Sequence, residues 1–323
     1  MSKDKNYYGI DISKDVFDVY SRGQGSHQYS NNENGFRKFV NKLSEKSYCV
    51  MEATGYYHYQ LAYYLLDNGV SVSVENPLKV KRFIQMNLSK VKTDKSDAKQ
   101  IYNYALNVKI QEWKGESKGA QESRQLLSLL DTYTKQSTQL KNKIHGEDVL
   151  GNPSKTVIRS LERSVNINAK EQCKLETRLM EIVKEEHQEL LTRIETIPGI
   201  GRKTALMLIV FTNGFKDFES SSQLCSYAGL TPIIKQSGSS VRGKERISKM
   251  GNGKLRNLLF MCSFNACKYN SACKALYERI VAKGKSKKLA LIAVCNKLLK
   301  QAFAVAKNGL IYDPNYTSVL VKK

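Results

Sequence analysis

Hydrophobic periodicity changes character once along this chain, near residue 112, and that change limits the fold more than any other feature. Before it, short β-rich runs alternate with amphipathic stretches. Tyr7–Ile12 and Val16–Tyr20 read as the two strands of a hairpin, and Cys49–Ala53 and Val70–Glu75 as two further strands. Asn32–Ser44 puts Phe36, Phe39, Val40 and Leu43 on one helical face, and Tyr57–Asp67 does so with Tyr57, Leu61, Tyr64 and Leu65. Residues 95–108 repeat the pattern with Ala98, Ile101, Tyr102, Ala105 and Leu106. Strands first, then strand–helix–strand, predict an α/β domain: a mixed sheet with helices packed on it.

After the polar stretch from Glu112 to Ser123 only helical stripes remain. Leu126, Leu129, Leu130 and Tyr133 form one, and Leu175, Leu179, Ile182 and Val183 another, with Gly146, Gly151 and Pro153 between. Two long helices joined by a turn, an antiparallel or dimerising coiled coil, are expected. Ile197-Pro198-Gly199-Ile200-Gly201 then opens a mainly α region with a helix over Thr204–Phe211. A glycine-rich linker follows at Gln236–Gly243, and helices fill 254–308. The expected domains are 1–112, 118–195 and 196–323.

The charge is large and unevenly placed. The net value is +22 over 323 residues, and residues 231–323 hold 19 Lys/Arg against 3 Asp/Glu, a balance of +16. Residues 78–110 hold 8 against 2, which is +6. Such excess serves a polyanion, and phosphate contacts that release counterions explain it better than a solvated face does. No apolar run is read as long enough to span a bilayer, and the first residues lack the apolar core of a signal peptide. The cytoplasm is the expected location and nucleic acid, not a membrane, the expected partner. The seven cysteines include no C-x-x-C pair, so reduced, buried thiols are expected, and the four histidines are scattered.

Four acids stand where carboxylates need a reason. Asp11 lies inside the apolar strand Gly9-Ile10-Asp11-Ile12, Glu52 ends the strand before Ala53-Thr54-Gly55, and Asp94 and Asp97 open a helix one turn apart. Taken singly, Asp94 reads by default as a helix cap, and Glu52 also reads as an exposed strand end. Together they match the need of metal-assisted phosphoryl transfer for several carboxylates from different elements converging on Mg²⁺.

Two basic or glycine-rich segments follow. The Pro198–Gly201 turn, with Gly199 and Gly201, reads as a helix-hairpin-helix-like turn that offers backbone N–H groups to a phosphate, or as a plain helix connection. In the segment from Gln236 to Asn252, Ser237, Ser239 and Ser240 lie among Arg242, Lys244, Arg246 and Lys249, with Arg256 just beyond. Composition allows a flexible linker, a phosphate-gripping loop, or a serine nucleophile beside cations that stabilise added charge.

In chain order, Gly-Ile-Asp11, Glu52-Ala-Thr-Gly, Lys-Thr-Asp94-x-x-Asp97-Ala, Ile-Pro-Gly-Ile-Gly, Ala228-Gly-Leu-Thr-Pro232, Ser237-Gly-Ser-Ser-Val-Arg-Gly243 and Lys249-x-Gly-Asn-x-x-Leu-Arg256 resemble the DEDD-type transposases of the IS110 family. The likeness is collinear over almost the whole chain. It implies a RuvC-like, ribonuclease H-type first domain in which Asp11, Glu52, Asp94 and Asp97 hold Mg²⁺. It also implies a coiled coil that builds a dimer or tetramer, and a C-terminal transposase domain with Ser237 as nucleophile. The implied partners are the element's DNA ends and target and a guiding bridge RNA. The rival expectations are a junction resolvase using water and a non-catalytic DNA- or RNA-binding protein.

Overall fold

The computed structural model describes residues 5–86, 94–233, 236–237, 241–242 and 246–316. The chain divides into two compact units, Met1–Glu116 and Ser117–Lys323.

The first unit is a mixed sheet. Its strands are β1 (Asn6–Ile12), β2 (Val16–Ser21), β3 (Gly25–Ser30), β4 (Ser47–Glu52) and β5 (Ser71–Glu75), in the order β3-β2-β1-β4-β5. The β1, β2 and β3 strands are antiparallel neighbours, and β4 and β5 run parallel to β1. Two helices, α1 (Glu33–Val40) and α2 (His58–Asp67), supply Phe36, Phe39, Leu61 and Leu65 to one core, which holds Ile10, Phe17 and Met51. On the other face, α3 (Pro77–Met86) and α4 (Asp94–Asn107) supply Val80, Ile101 and Ala105 to a core with Tyr48 and Val50. Alternation along each strand feeds both layers, as a sheet covered on two sides requires. The sequence did not announce β3, whose Gly-Ser-His-Gln-Tyr-Ser run has no apolar alternation, or α3, where Lys79, Lys81 and Arg82 stand among the apolar residues.

The second unit is mostly helical. Its long helices α5 (Lys118–Val149) and α6 (Lys155–Glu195) form an antiparallel hairpin within one chain. Arg178 pairs with Glu122 at 2.8 Å, Gln172 reaches Thr134, and Ser117 reaches Glu186. Gly146 lies inside α5, so only residues 150–154 make the turn. From about residue 131 to 178 the hairpin buries no side chain below the surface, whereas its base supplies Leu127, Leu130, Leu179, Val183, Leu190 and Ile194 to a large core. That core is completed by α7 (Arg202–Phe211), α8 (Ser221–Tyr227), α9 (Gly253–Tyr269), α10 (Ser271–Ala282) and α11 (Lys287–Asn308).

Two expectations need correction. Within Gln236–Gly243, read as a glycine-rich linker, the described residues form a strand pair: β7 (Gln236–Ser237) is antiparallel to β8 (Val241–Arg242), and flanking it in sequence β6 (Pro232–Ile233) pairs with β9 (Arg246–Ile247). Ile233, Val241 and Ile247 are β-branched residues, which favour strands. Second, α11 does have the length and apolar composition of a membrane span. Its Ala290, Val294, Leu298, Leu299 and Ala302 are nevertheless buried in the protein core, and Lys297 and Lys300 lie in its middle, so it reads as a core helix.

Candidate active site

The first unit gathers acids along one cross-strand row. Asp11 of β1 is paired in register with Asp18 of β2. Ile10 pairs with Met51 and Glu52 with Glu75, so Asp11, Glu52 and Glu75 continue the row over β1, β4 and β5. Residues in one row point to one face of the sheet, and here it is the face shared with Gly9, two residues before Asp11. Gly9 is where α4 comes down. A Cβ at Gly9 would lie 2.3 Å from Ala98 O and from Tyr102 N, so only a glycine lets the helix approach this closely. The approach brings Asp97, the residue before Ala98, to the acid row. Asp94 opens α4 one turn earlier, and its side chain lies outside the described residues.

The electrostatics agree with the geometry. The Glu52 carboxyl is held above the usual carboxylate range, first by burial and then by the charges of Asp11 and Asp97. Asp97 accepts a hydrogen bond from Ser96 Oγ at 3.3 Å. Among the described side chains, no group of three His, Cys, Asp or Glu stands close enough to chelate one ion. Even so, a Glu52 carboxyl raised by burial and by two neighbouring carboxylates is a state that a divalent cation would relieve, and all-oxygen donors suit a hard ion such as Mg²⁺. The residues therefore fit the ion that the sequence implied.

Two further acids escaped the sequence reading. Asp18 is buried and accepts from Gln28 Nε2 at 3.2 and 3.1 Å. Glu75 is buried and accepts from Ser73 Oγ at 2.9 Å and Tyr104 Oη at 3.0 Å. The signals were present: Asp18 sits in an apolar strand as Asp11 does, and Glu75 ends a strand as Glu52 does.

In the second unit, Ser237 lies on β7 and is register-paired with Val241, one pair outward from Gln236 and Arg242. The side chains of Ser237 and Arg242 lie outside the described residues, as do Ser239, Ser240 and Lys244 entirely. Arg246 is exposed on β9. Lys249 is exposed at φ 56°, in the segment that seats α9. There Asn252 Oδ1 caps Leu255 N at 3.0 Å, and its own N–H donates to Tyr227 O at 2.7 Å. A Cβ at Gly251 would lie 2.1 Å from Tyr227 O, so the Lys-x-Gly-Asn motif is fitted to the end of α8. Arg256, expected on a phosphate, donates Nη1 to Ala228 O at 2.9 Å and braces the same junction.

The glycine turn divides its work. Gly199, at φ 101°, lets the chain pass α9, since a Cβ there would lie 2.7 Å from Ala266 Cβ. Gly201 is the N-cap of α7 with open space around it and no side-chain cap. The flanking Arg202 pairs with Glu195 at 2.8 Å and Lys203 pairs with Glu176.

Comparison with known proteins identifies the class. A family model described as "Transposase", of the DEDD type of the IS110 group, matches residues 8–147, the segment that holds the acid row. A second, described as "Transposase IS116/IS110/IS902 family", matches residues 191–278, which hold the glycine turn and the serine ribbon. The pilin gene-inverting protein of Moraxella bovis is 28% identical over 325 residues, covering 96% of this chain and 98% of that protein. The transposase for insertion sequence element IS1111A of Coxiella burnetii is 27% identical over 330 residues, covering 91% and 88%. The chain belongs to the IS116/IS110/IS902 family of transposases. It is a DNA-binding, DNA-cleaving recombinase of the DEDD type.

Proposed function

We propose that Asp11, Glu52, Asp94 and Asp97 hold Mg²⁺ and that Ser237 is the nucleophile of a covalent strand transfer. The observation that supports this most is the convergence of Asp11, Glu52 and Asp97, felt in the raised Glu52 carboxyl. Bound Mg²⁺ would supply charge neutralisation at the scissile phosphate and the departing oxygen. The Ser237 hydroxyl attacks phosphorus, loses its proton, and takes the place of the DNA oxygen, which leaves with a proton as a hydroxyl. A hydroxyl of another strand then attacks the phosphoserine and releases the serine. The phosphodiester energy is kept in the covalent bond, so no nucleotide cofactor is consumed. The Gly201 end of α7 and the basic residues Arg242, Lys244, Arg246 and Lys249 hold the DNA backbone, and the +16 of residues 231–323 serves both DNA and a guide RNA that selects the target. The sparse burial of the outer hairpin supports self-association into a dimer or tetramer.

The Moraxella relatives are named for inverting a pilin gene and the Coxiella relative for an insertion sequence. The same strand exchange between two sites serves either outcome, and the element's DNA sites decide which. The decisive experiment is denaturing electrophoresis of the chain incubated with end DNA and Mg²⁺. A protein–DNA adduct that maps to Ser237 and disappears in Ser237→Ala is expected. Cleavage without any adduct would assign the attack to water.

A further inference from the structure

Glu75 is a carboxylate that the proposed chemistry does not use. It is 6% exposed, in register with Glu52 on the neighbouring strand, and both its oxygens are occupied by hydroxyl donors from Ser73 and Tyr104. Lys79 approaches only to 3.9 Å from an exposed position. Tyr104 is 2% exposed, and its ring meets Phe83 of α3 edge-on at 5.5 Å. Burial, then the charge of Glu75, raises the Tyr104 hydroxyl, which keeps it a neutral donor. Tyr104 lies seven residues beyond Asp97 on α4, two turns along the same helical face.

Ring and apolar contacts also hold α4: Tyr102 meets Tyr20 of β2 edge-on at 5.2 Å. Ile101 and Ala105 pack on Tyr48, Val50 and Val80, and such apolar contact has no direction. Gly9 permits a close approach but does not fix where along the strand the helix stops. A buried, satisfied hydrogen bond does fix it.

We propose that Glu75 and Tyr104 are a positioning pair: their hydrogen bond sets the register of α4 on the sheet, and so places Asp97 against Asp11 and Glu52, while Glu75 itself is not a ligand of the cation. The inference rests on reading those three acids as part of a divalent-cation site.

The test uses the full chain and measures Mn²⁺ binding by electron paramagnetic resonance, well below each variant's melting temperature, beside Mg²⁺-dependent DNA nicking. Tyr104→Phe removes one oxygen and should weaken Mn²⁺ binding about 10-fold, the usual consequence of losing an orienting partner. Glu75→Gln keeps a carbonyl acceptor for the tyrosine and should stay within about 3-fold of the unaltered chain. Glu75→Leu should match Tyr104→Phe, and the double variant should be no worse than either, since both remove one interaction. DNA affinity should not change. Tyr104→Phe with unchanged Mn²⁺ affinity overturns the proposal, even if Glu75→Leu fails to fold. So does Glu75→Gln as damaging as Asp11→Asn, which would make Glu75 a ligand. If the unaltered chain binds no Mn²⁺, the reading of the acids fails and the proposal falls with it.

Discussion

The acid row and the serine ribbon are built on opposite principles. Asp11 and Glu52 stand on central strands of a sheet covered by helices on both faces, and a glycine contact to backbone atoms lets the helix that carries Asp97 approach closely. Ser237 stands on a pair of strands of two residues each. A two-stranded ribbon has no second layer of its own and gains little independent stability. Asp11 and Glu52 are therefore held in a sheet packed on both faces, whereas Ser237 stands on a two-stranded pair.

Substitutions should expose that difference, the largest effects first. Ser237→Ala should lose the DNA adduct entirely while leaving Mn²⁺ binding and the melting temperature unchanged. Asp11→Asn should lower cleavage by about three orders of magnitude, since several kcal/mol of charge stabilisation are at stake. Filter binding should show most of its DNA affinity intact, because the basic segments remain. Mixing these two inactive proteins tests whether one protomer's acids serve another's serine: recovered cleavage is expected, and none would restrict each reaction to a single chain.

Glycine replacements sharpen the contrast next. Gly9→Ala forces α4 off the sheet and should cost about 1–3 kcal/mol in urea unfolding together with most cleavage. Gly201→Ala meets open space and should change stability by about 0.5 kcal/mol or less. Equal effects at the two positions would remove the close approach at Gly9 as the device that delivers Asp97.

Asn252→Ala removes the cap of α9 and should cost about 1 kcal/mol, with the metal site untouched. The smallest effect is electrostatic. Glu52 is raised in the folded chain, so the native state binds more protons than the unfolded one between the usual carboxylate value and the raised one. Stability without metal should fall as pH rises through that window, and recover as pH drops below it. Melting curves with and without Mg²⁺ check the sign; Glu52→Gln should flatten the metal-free profile.

Much of the first unit was legible because its strands alternate. Tyr7–Ile12 and Val16–Tyr20 had to show one face to each helical layer, and their pairing as a hairpin follows from the short turn between them. The helix carrying Asp97 was legible from its apolar stripe. β3 was not, because an edge strand needs only a backbone partner, and Gly25–Ser30 finds one in β2 without an apolar pattern. The strand pairs around Ser237 were hidden for a related reason: each strand is only two residues long, and their order comes from cross-strand hydrogen bonds that composition does not express. The basic residues were legible as charge but not as contacts, since Arg256 and Arg202 turn out to have partners within the protein.

The sequence by itself determined which residue types were available, in what order, and on which kind of element. An acid inside an apolar strand, two acids one turn apart and a serine among arginines are local facts, fixed by side-chain periods of 2 and 3.6. Which of them meet was decided only in three dimensions. Asp11 and Glu52 became neighbours because β1 and β4 pair in parallel, a choice among long-range partners that no local pattern encodes. The pairings of β2 with β1 and of β5 with β4 revealed Asp18 and Glu75 as members of the row, because register is a property of two strands and not of either sequence alone.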